Sequence, residues 1–206
     1  MECGEGVADA QTDPDRPPSR VGLSIGDSLA ALHAVIGALI ALHERNGSGL
    51  GQVVDVSLSE SVFAMLEGIL PEYSYHGAIR ERTGNIAHNS APTNAYECAD
   101  GALVCIAARL FRQLARVIGR GDLADDPQLA TNEGRVKRAD ELDGVISAWT
   151  ETRDSEDVVL LLREHHIPVS RINSVADIVT DPQFRARQAF VEVEDPRLER
   201  PMLVPG

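Results

Sequence analysis

The sequence predicts a mixed α+β protein of the α/β class, with a helical front part over about 21–70 and a small α+β part over about 94–180. An apolar stretch over 28–43 has the spacing of a helix, and Asp100-Gly101 has the composition of a hairpin turn. Helical spacing of apolar residues then returns three times, at about 110–118, 139–150 and 155–165.

Composition excludes several classes of partner. The 206 residues are 43% hydrophobic and 25% charged, as in a globular protein, and a chain this long buries roughly 70% of its unfolded surface. The sequence has 32 acidic and 19 basic residues, and the resulting net charge of −13 repels nucleic acid and anionic membranes. We therefore expect neither as a partner, and an anionic ligand must meet a local positive patch or one supplied by another chain.

Cysteine usage and the amino-terminal sequence point to the cytoplasm. Cys3, Cys98 and Cys105 form no CxxC pair, which favours a reducing compartment. The first 20 residues are polar, rich in Asp and Pro, and lack the apolar run of a signal peptide. The run over 28–43 is shorter than the ~20 residues of a membrane span, so it predicts a helix buried inside protein.

The front part can be followed element by element. Residues 1–20 have no periodicity, which predicts a flexible arm. The helix over 28–43 is apolar on nearly all sides, so we expect it to be covered all round. After a glycine-rich turn, "QVVDVSL" (52–58) predicts a strand, and "SLSE" (57–60) a capping box that opens a second helix closed by Pro71.

The remaining chain predicts a linker and a small domain. Residues 71–93 lack a period, as linkers do. A hairpin over 94–108 follows, with a polar loop over 121–135 between helices. "IPVSRI" (167–172) predicts a strand, and the next segment a short helix capped by Asn173 or Ser174 and stopped before Pro182.

Most chemical motifs are missing from the sequence. It has no HExxH, no Cys/His ligand spacing and no calcium loop, so we expect no metal site. It also lacks the glycine motifs of dinucleotide and phosphate loops and the GxSxG elbow of serine hydrolases.

Asp27 remains as the candidate residue, and two interpretations of it stand. Its carboxylate can cap the apolar helix by accepting hydrogen bonds from the exposed N–H groups of the first turn. The same carboxylate can act as an anchored nucleophile that forms an acyl intermediate, with Gly26 letting a thioester come close. Residue types alone leave both interpretations open.

Several segments of the sequence resemble those of a known protein family. "PPSRVGLSIGDSLAALHAVIGALIALHERNGSGLGQVVDVSLSESVFAML" (17–66) resembles the class III CoA-transferases, the family of formyl-CoA and carnitine CoA-transferases. Further matches follow in the family's order, over about residues 13 to 206: "RTGN" (82–85), "APTNAYECADGALVCIAA" (91–108), "GDLADDPQLATNEGR" (121–135) and "IPVSRINSVADIVTDPQFRARQAFVEV" (167–193).

The resemblance implies a function for Asp27. It matches the family's nucleophile, which takes acyl groups from an acyl-CoA through an anhydride and an aspartyl-CoA thioester and passes CoA to a carboxylic acid. Coenzyme A enters as the substrate's thioester, so no separate cofactor is implied. The helix dipole that favours a cap also favours an ionised, aimed nucleophile.

The resemblance also implies an architecture. Family members are about twice this length and form interlocked homodimers. The expected fold is therefore a fragment: part of the large domain over 21–70, the small domain over 94–180, and a return segment over 181–206. In the family, the front half that this chain lacks carries the nucleotide-binding body and most groups that hold CoA, so we expect activity to need that half. The family's last segment is expected to be missing as well.

Three further points follow from the resemblance. Asn85 and His88 are candidates to face the substrate, although loop polarity explains them equally well. The family's glycine-rich lid has no counterpart, because no glycine lies between Asn85 and Gly101, so the formyl/oxalate substrate pair is not carried over. An α-methylacyl-CoA racemase needs an acid in the turn over 106–111, which has none, and a non-catalytic assembly module is the remaining alternative.

Overall fold

The structure is a computed structural model that describes residue 15 and residues 22–87, 89–107 and 109–206. It divides into two compact units, one up to Asn89 and the other from Ser90 onward. The predicted flexible arm lies outside the described residues except for Asp15. The predicted limits of the domains, including the linker over 71–93, stay a prediction.

The first unit consists of three described helices. They are α1 (Ile25–Ser48), α2 (Leu58–Phe63) and α3 (Ile69–His76). Helix α1 ends where Gly49 takes the left-handed conformation and donates its N–H to the Arg45 carbonyl. Ser57 is the N-cap of α2, and its hydroxyl accepts from the Glu60 amide. This is one of the two bonds of the capping box predicted for "SLSE"; the return bond to the Glu60 side chain is not among those of the described residues.

Three expectations about this unit are wrong. Helix α1 has no buried residue, because α2 packs on it along one side and the unit supplies too few elements to cover the rest. The strand predicted over 52–58 is absent: Val53 is 92% exposed, and no described strand lies beside it. Pro71 does not end a helix but lies in the first turn of α3, where its missing N–H costs nothing.

Helix α1 is longer than the apolar run over 28–43, so the argument that this segment is too short to span a membrane no longer holds. With 24 residues it is long and apolar enough to cross a membrane, although the core helix of a soluble protein passes the same test. The close contact between Gly37 and Val54 supports a helix that packs against protein.

The second unit is α+β. Its order along the chain is β1 (Thr93–Glu97), β2 (Leu103–Ala107), α4 (Phe111–Val117), α5 (Gly121–Ala124), α6 (Asn132–Val136), α7 (Ala139–Thr150), α8 (Ser155–Glu164), β3 (Val169–Arg171), α9 (Val175–Thr180), α10 (Pro182–Ala186), β4 (Phe190–Val193) and β5 (Met202–Pro205). Strands β1, β2 and β3 form one antiparallel sheet in that order, and β4 and β5 form a second antiparallel pair.

The predicted hairpin and helices of this unit are confirmed. Strands β1 and β2 pair from Thr93 opposite Ala107 to Glu97 opposite Leu103. In the turn only Gly101 has a positive φ, at 73°. Helices α4, α7 and α8 occupy the three segments whose apolar spacing is helical, and they pack on the sheet through one buried cluster: Tyr96, Cys98, Val104, Ile106, Leu114, Ile146, Trp149, Val158, Leu162 and Ile167.

The hairpin turn also caps a distant helix. Asp100 accepts hydrogen bonds from the Ser155 hydroxyl at 2.7 Å and the Ser155 amide at 3.2 Å, at the start of α8. The Ser155 hydroxyl, the largest cause, and the amides of Ala102 and Ser155 hold the pKa of Asp100 below its usual range. Asp154, the residue that precedes α8, makes no capping bond with its side chain.

Two remaining segments differ in detail from the expectation. The predicted loop over 121–135 contains α5, a 3-10 turn (Pro127–Leu129) and most of α6. Ser174, rather than Asn173, caps α9 in a full capping box with Asp177, and Pro182 starts α10 instead of simply ending the helix before it.

Candidate active site

Asp27 lies in the first turn of α1, at the third helical position. Ser24 is the N-cap residue and makes no capping bond with its side chain, so the first amides of α1 lack a side-chain cap. The interpretation of Asp27 as the cap residue itself is therefore wrong. Its carboxylate still lies at the amino-terminal end of the α1 dipole.

The surroundings of Asp27 leave its carboxylate accessible. The residue is exposed, and its side chain has no hydrogen-bond or ion-pair partner among residues 22–87, 89–107 and 109–206. A carboxylate that is not committed to a neighbouring cation is available to attack an electrophile.

Gly26 packs against α2. A Cβ atom added to Gly26 would stand 3.6 Å from Cγ2 of Val62, which is an ordinary van der Waals distance. The local structure therefore has room for an alanine at this position. The proposed approach of a thioester over Gly26 stays a prediction.

Asn85 lies in a tight turn of the first unit. Gly84 has a φ of 65°, and Thr83 closes the turn by donating from its hydroxyl to the Ile86 carbonyl at 2.9 Å. Asn85 is exposed, and no hydrogen bond among the described residues joins it to Asp27. His88 lies outside the described residues, so its role stays a prediction.

A cavity between α1 and the segment leading into α2 was not predicted. Its volume is about 300 Å³, and His33, Asp55 and Glu60 are among the residues that line it. The buried Nδ1 atom of His33 has no hydrogen-bond partner among the described atoms. His33 follows Asp27 by six residues, about 9 Å along the helix axis, and Asp27 does not line the cavity.

The turn between β2 and α4 bears on the type of reaction. Strand β2 ends at Ala107 and α4 begins at Phe111, so the turn has the strand-to-helix position expected from the sequence. Of its described residues, Arg109 is a cation, and none is an acid. Among the residues that the structure describes, no cluster of three His, Cys, Asp or Glu side chains could hold a metal ion.

The fold and the site define a mixed α/β protein with an accessible carboxylate at the start of a long helix, an arrangement suited to covalent acyl transfer. The family model for CoA-transferase family III matches residues 1–206, including the first 12 residues, which were expected to lie outside the resemblance. The chain therefore belongs to CoA-transferase family III.

Individual relatives agree with this family. The chain is 47% identical over 188 residues to a succinyl-CoA–D-citramalate CoA-transferase of Chloroflexus aurantiacus, which covers 90% of this chain and 47% of the relative. It is 32% identical over 203 residues to a succinyl-CoA:mesaconate CoA-transferase of Haloarcula hispanica, covering 98% of this chain and 50% of that one. The chain thus spans about half the length of the curated relatives it matches.

A solved structure agrees with the fold. A CAIB/BAIF family protein from Brucella suis superposes with a TM-score of 0.74 at 32% identity, over 91% of this chain and 50% of that chain. The mixed α/β fold expected from the sequence is therefore the fold of this family.

Proposed function

We propose that this chain carries the nucleophile of a CoA-transferase and that Asp27 is that nucleophile. The observation that carries the proposal is an exposed carboxylate without a partner among the described residues, at the start of α1, in a member of CoA-transferase family III. A carboxylate in this position can act as the nucleophile of a covalent acyl transfer.

The proposed reaction has four steps in which acyl bonds are exchanged without oxidation or reduction. An Asp27 oxygen attacks the thioester carbonyl of the donor, the C–S bond breaks, and CoA leaves as thiolate. The thiolate attacks the Asp27 carbonyl of the resulting anhydride and releases the donor acid. The acceptor carboxylate then attacks the aspartyl-CoA thioester and expels thiolate. That thiolate attacks the acceptor's carbonyl in the second anhydride, which forms the acceptor's CoA thioester and restores Asp27 as a carboxylate.

The names of the relatives suggest substrates. Both relatives described above use succinyl-CoA, with D-citramalate or mesaconate as the second substrate in their names. We infer succinyl-CoA as the donor and a methyl-substituted dicarboxylic acid as the acceptor. The CoA thioester serves as the substrate and not as a bound cofactor.

The setting of the reaction is inferred from the same features. Of the described cysteines, Cys98 and Cys105 are both free, which suits a reducing cytoplasm. The exposed apolar residues of α1 favour contact with further protein, as in an interlocked homodimer of family-length subunits.

Two alternatives are weaker. A racemase would need an acid in the turn after β2, and Arg109 carries the opposite charge there. A non-catalytic assembly module accounts for the exposed faces of α1, but it gives no role to the accessible Asp27.

The experiment looks for an acyl-enzyme on Asp27. The 206-residue chain is incubated with succinyl-CoA and quenched with hydroxylamine, and the modified peptide is located by mass spectrometry. We expect a hydroxamate on Asp27 that is lost in Asp27→Asn. Asp140→Asn serves as the matched control, because Asp140 is also an exposed acid in the first turn of a helix.

Other outcomes contradict the proposal. Labelling that persists in Asp27→Asn would place the nucleophile elsewhere. Exchange of the α-proton of a methylacyl-CoA in deuterated water without CoA transfer would indicate the racemase. Failure to bind or be labelled by any acyl-CoA would indicate the assembly module.

A further inference from the structure

The second unit contains an arginine-lined cavity, and Asp27 is not among its lining residues. Its volume is about 700 Å³, and its lining includes Arg109, Arg112, Arg116 and Arg135. No Asp or Glu is among the described residues that line it. Four guanidinium groups without an acid in one cavity are unexpected in a chain whose net charge is −13.

The position of the arginines has a simple local cause. Arg112 and Arg116 are four residues apart on α4, so they lie on one face of that helix. Arg109 precedes α4 in the turn after β2, and Arg135 reaches the cavity from α6. Two separate elements thus direct cations to the same volume.

Arg135 is held in the cavity lining by contacts with the backbone and with one aromatic ring. Its guanidinium donates to the carbonyls of Ala91 at 2.8 Å and Leu129 at 3.1 Å, and it lies 5.5 Å from the centre of the Phe111 ring. Burial lowers the pKa of Arg135, yet an arginine stays charged at neutral pH. Its charge is met by carbonyl dipoles and an aromatic face, and by no carboxylate among the described residues.

The other three arginines keep donors available. Arg116 shares one exposed ion pair, at 3.2 Å, with Asp125 outside the lining. The side chains of Arg109 and Arg112 are exposed and make no hydrogen bond or ion pair with a described residue. Like charges gathered in one place repel each other, and a bound anion removes that repulsion.

Size and lining restrict the kind of anion. A volume of about 700 Å³ is within the range of small-molecule sites, which is roughly 300–1,000 Å³. Leu110, Phe111 and Leu129 supply apolar surface beside the charges. Guanidinium groups bind phosphate through two parallel hydrogen bonds, so the lining suits phosphate groups attached to an organic body.

We propose that this cavity binds a phosphate-bearing organic anion of nucleotide size, with Arg109 and Arg112 as its phosphate ligands. The ligand is either a free nucleotide or the nucleotide end of a CoA ester. All described lining residues belong to the second unit, so binding at this cavity can be measured whether or not Asp27 transfers acyl groups.

Isothermal titration calorimetry of the 206-residue chain tests the proposal. The probes are pyrophosphate, ADP, adenosine 3′,5′-bisphosphate, tricarballylate and uncharged adenosine. We expect the phosphate compounds to bind, more weakly as salt is raised, and adenosine not to bind. Tighter binding of the 3′,5′-bisphosphate would identify a CoA ester as the source, and tighter binding of ADP a free nucleotide.

Matched arginine variants locate the site. Arg112→Gln should weaken ADP binding about tenfold, the effect of about 1.4 kcal/mol for one charge-assisted contact. Arg187→Gln removes the same charge from an exposed position outside the cavity and should leave binding unchanged. Because Arg112 has no described partner, unchanged thermal unfolding should show that its variant remains folded.

Several results would overturn the proposal. Equal ADP affinity in the two variants would place binding outside the cavity, and adenosine binding as tightly as ADP would remove any role for phosphate. Tricarballylate binding as tightly as pyrophosphate would show a general anion site. Absence of heat with every phosphate probe would show that the cavity is not a phosphate site.

Discussion

Tyr96 offers the sharpest test of how the second unit is held together. Its side chain is only 2% exposed, and its hydroxyl donates to Oδ1 of Asp143 at 2.5 Å. The other oxygen of Asp143 accepts from the Asn94 amide at 2.9 Å. Burial, and then the bond to Asp143, raise the pKa of the Tyr96 hydroxyl far above neutrality, so it remains a donor at every physiological pH.

Replacing Tyr96 by Phe removes this hydrogen bond and keeps the ring. A hydrogen bond to a charged group contributes about 1.5–3 kcal/mol. We expect the low end, because Asp143 is only half-buried and keeps the bond from Asn94. The free energy of unfolding should therefore fall by about 1.5 kcal/mol, which corresponds to a drop in Tm of roughly 3–6 °C for a chain of this size.

Urea unfolding followed by circular dichroism measures the change. Tyr75→Phe is the matched control, since Tyr75 is 84% exposed, and it should stay within about 0.5 kcal/mol of the unchanged chain. In a double-mutant cycle, Tyr96→Phe and Asp143→Ala together should cost less than the sum of the two. Equal stability of Tyr96→Phe and Tyr75→Phe would refute the assignment of stability to this hydrogen bond.

Three further substitutions test the packing, the turn and the long-range cap. Leu162→Ala should cost about 2–5 kcal/mol in urea unfolding because Leu162 is fully buried, while Leu160→Ala on the exposed side of α8 should cost under about 0.5 kcal/mol. Gly101→Ala should lower Tm because its φ is 73°, at a cost of about 1 kcal/mol, whereas Gly144→Ala inside α7 should raise Tm. The folded-state pKa of Asp100 is lowered, so its carboxylate stabilises the fold at pH values above the ordinary aspartate pKa of about 4. This stabilisation is lost as the pH falls through the lower folded-state pKa. When Tm is measured from neutral to acidic pH, it should therefore fall less steeply in Asp100→Asn.

Local signals explain what the sequence could predict about the fold. Helices α7 and α8 were predictable because their apolar residues recur with helical spacing and face one core. The hairpin was predictable because a glycine at position 101 allows a positive φ in a tight turn.

The errors concern features that depend on distant parts of the chain. A valine-rich segment becomes a strand only when a neighbouring strand pairs with it, and none of the described strands does so at Val53. Likewise, the pattern of α1 required a covering surface that this unit does not supply. The cap that Asp100 provides to Ser155 joins residues 55 positions apart, and no local rule finds such a pair.

The candidate sites were predictable to different degrees. Asp27 was found because a single acid in front of a long apolar run stands out, and its catalytic role stays a prediction. Two of the four arginines that line the cavity, Arg112 and Arg116, have a spacing in the sequence that places them on one helical face. No pattern in the sequence places Arg135 beside them, because only the fold brings α6 to this cavity. The same holds for His33 and the cavity between α1 and the segment leading into α2.

The bonds around Ala91 affect how a protease would cut this chain. Its amide donates to the Asn132 side chain at 3.3 Å, and its carbonyl accepts from Arg135 at 2.8 Å, so α6 holds the backbone at this point from both sides. Proteases need an extended and locally mobile backbone, so limited digestion should cut before residue 91 and spare the bonded segment. The carboxyl-terminal product would then keep the residue that anchors Arg135, and with it the arginine cavity.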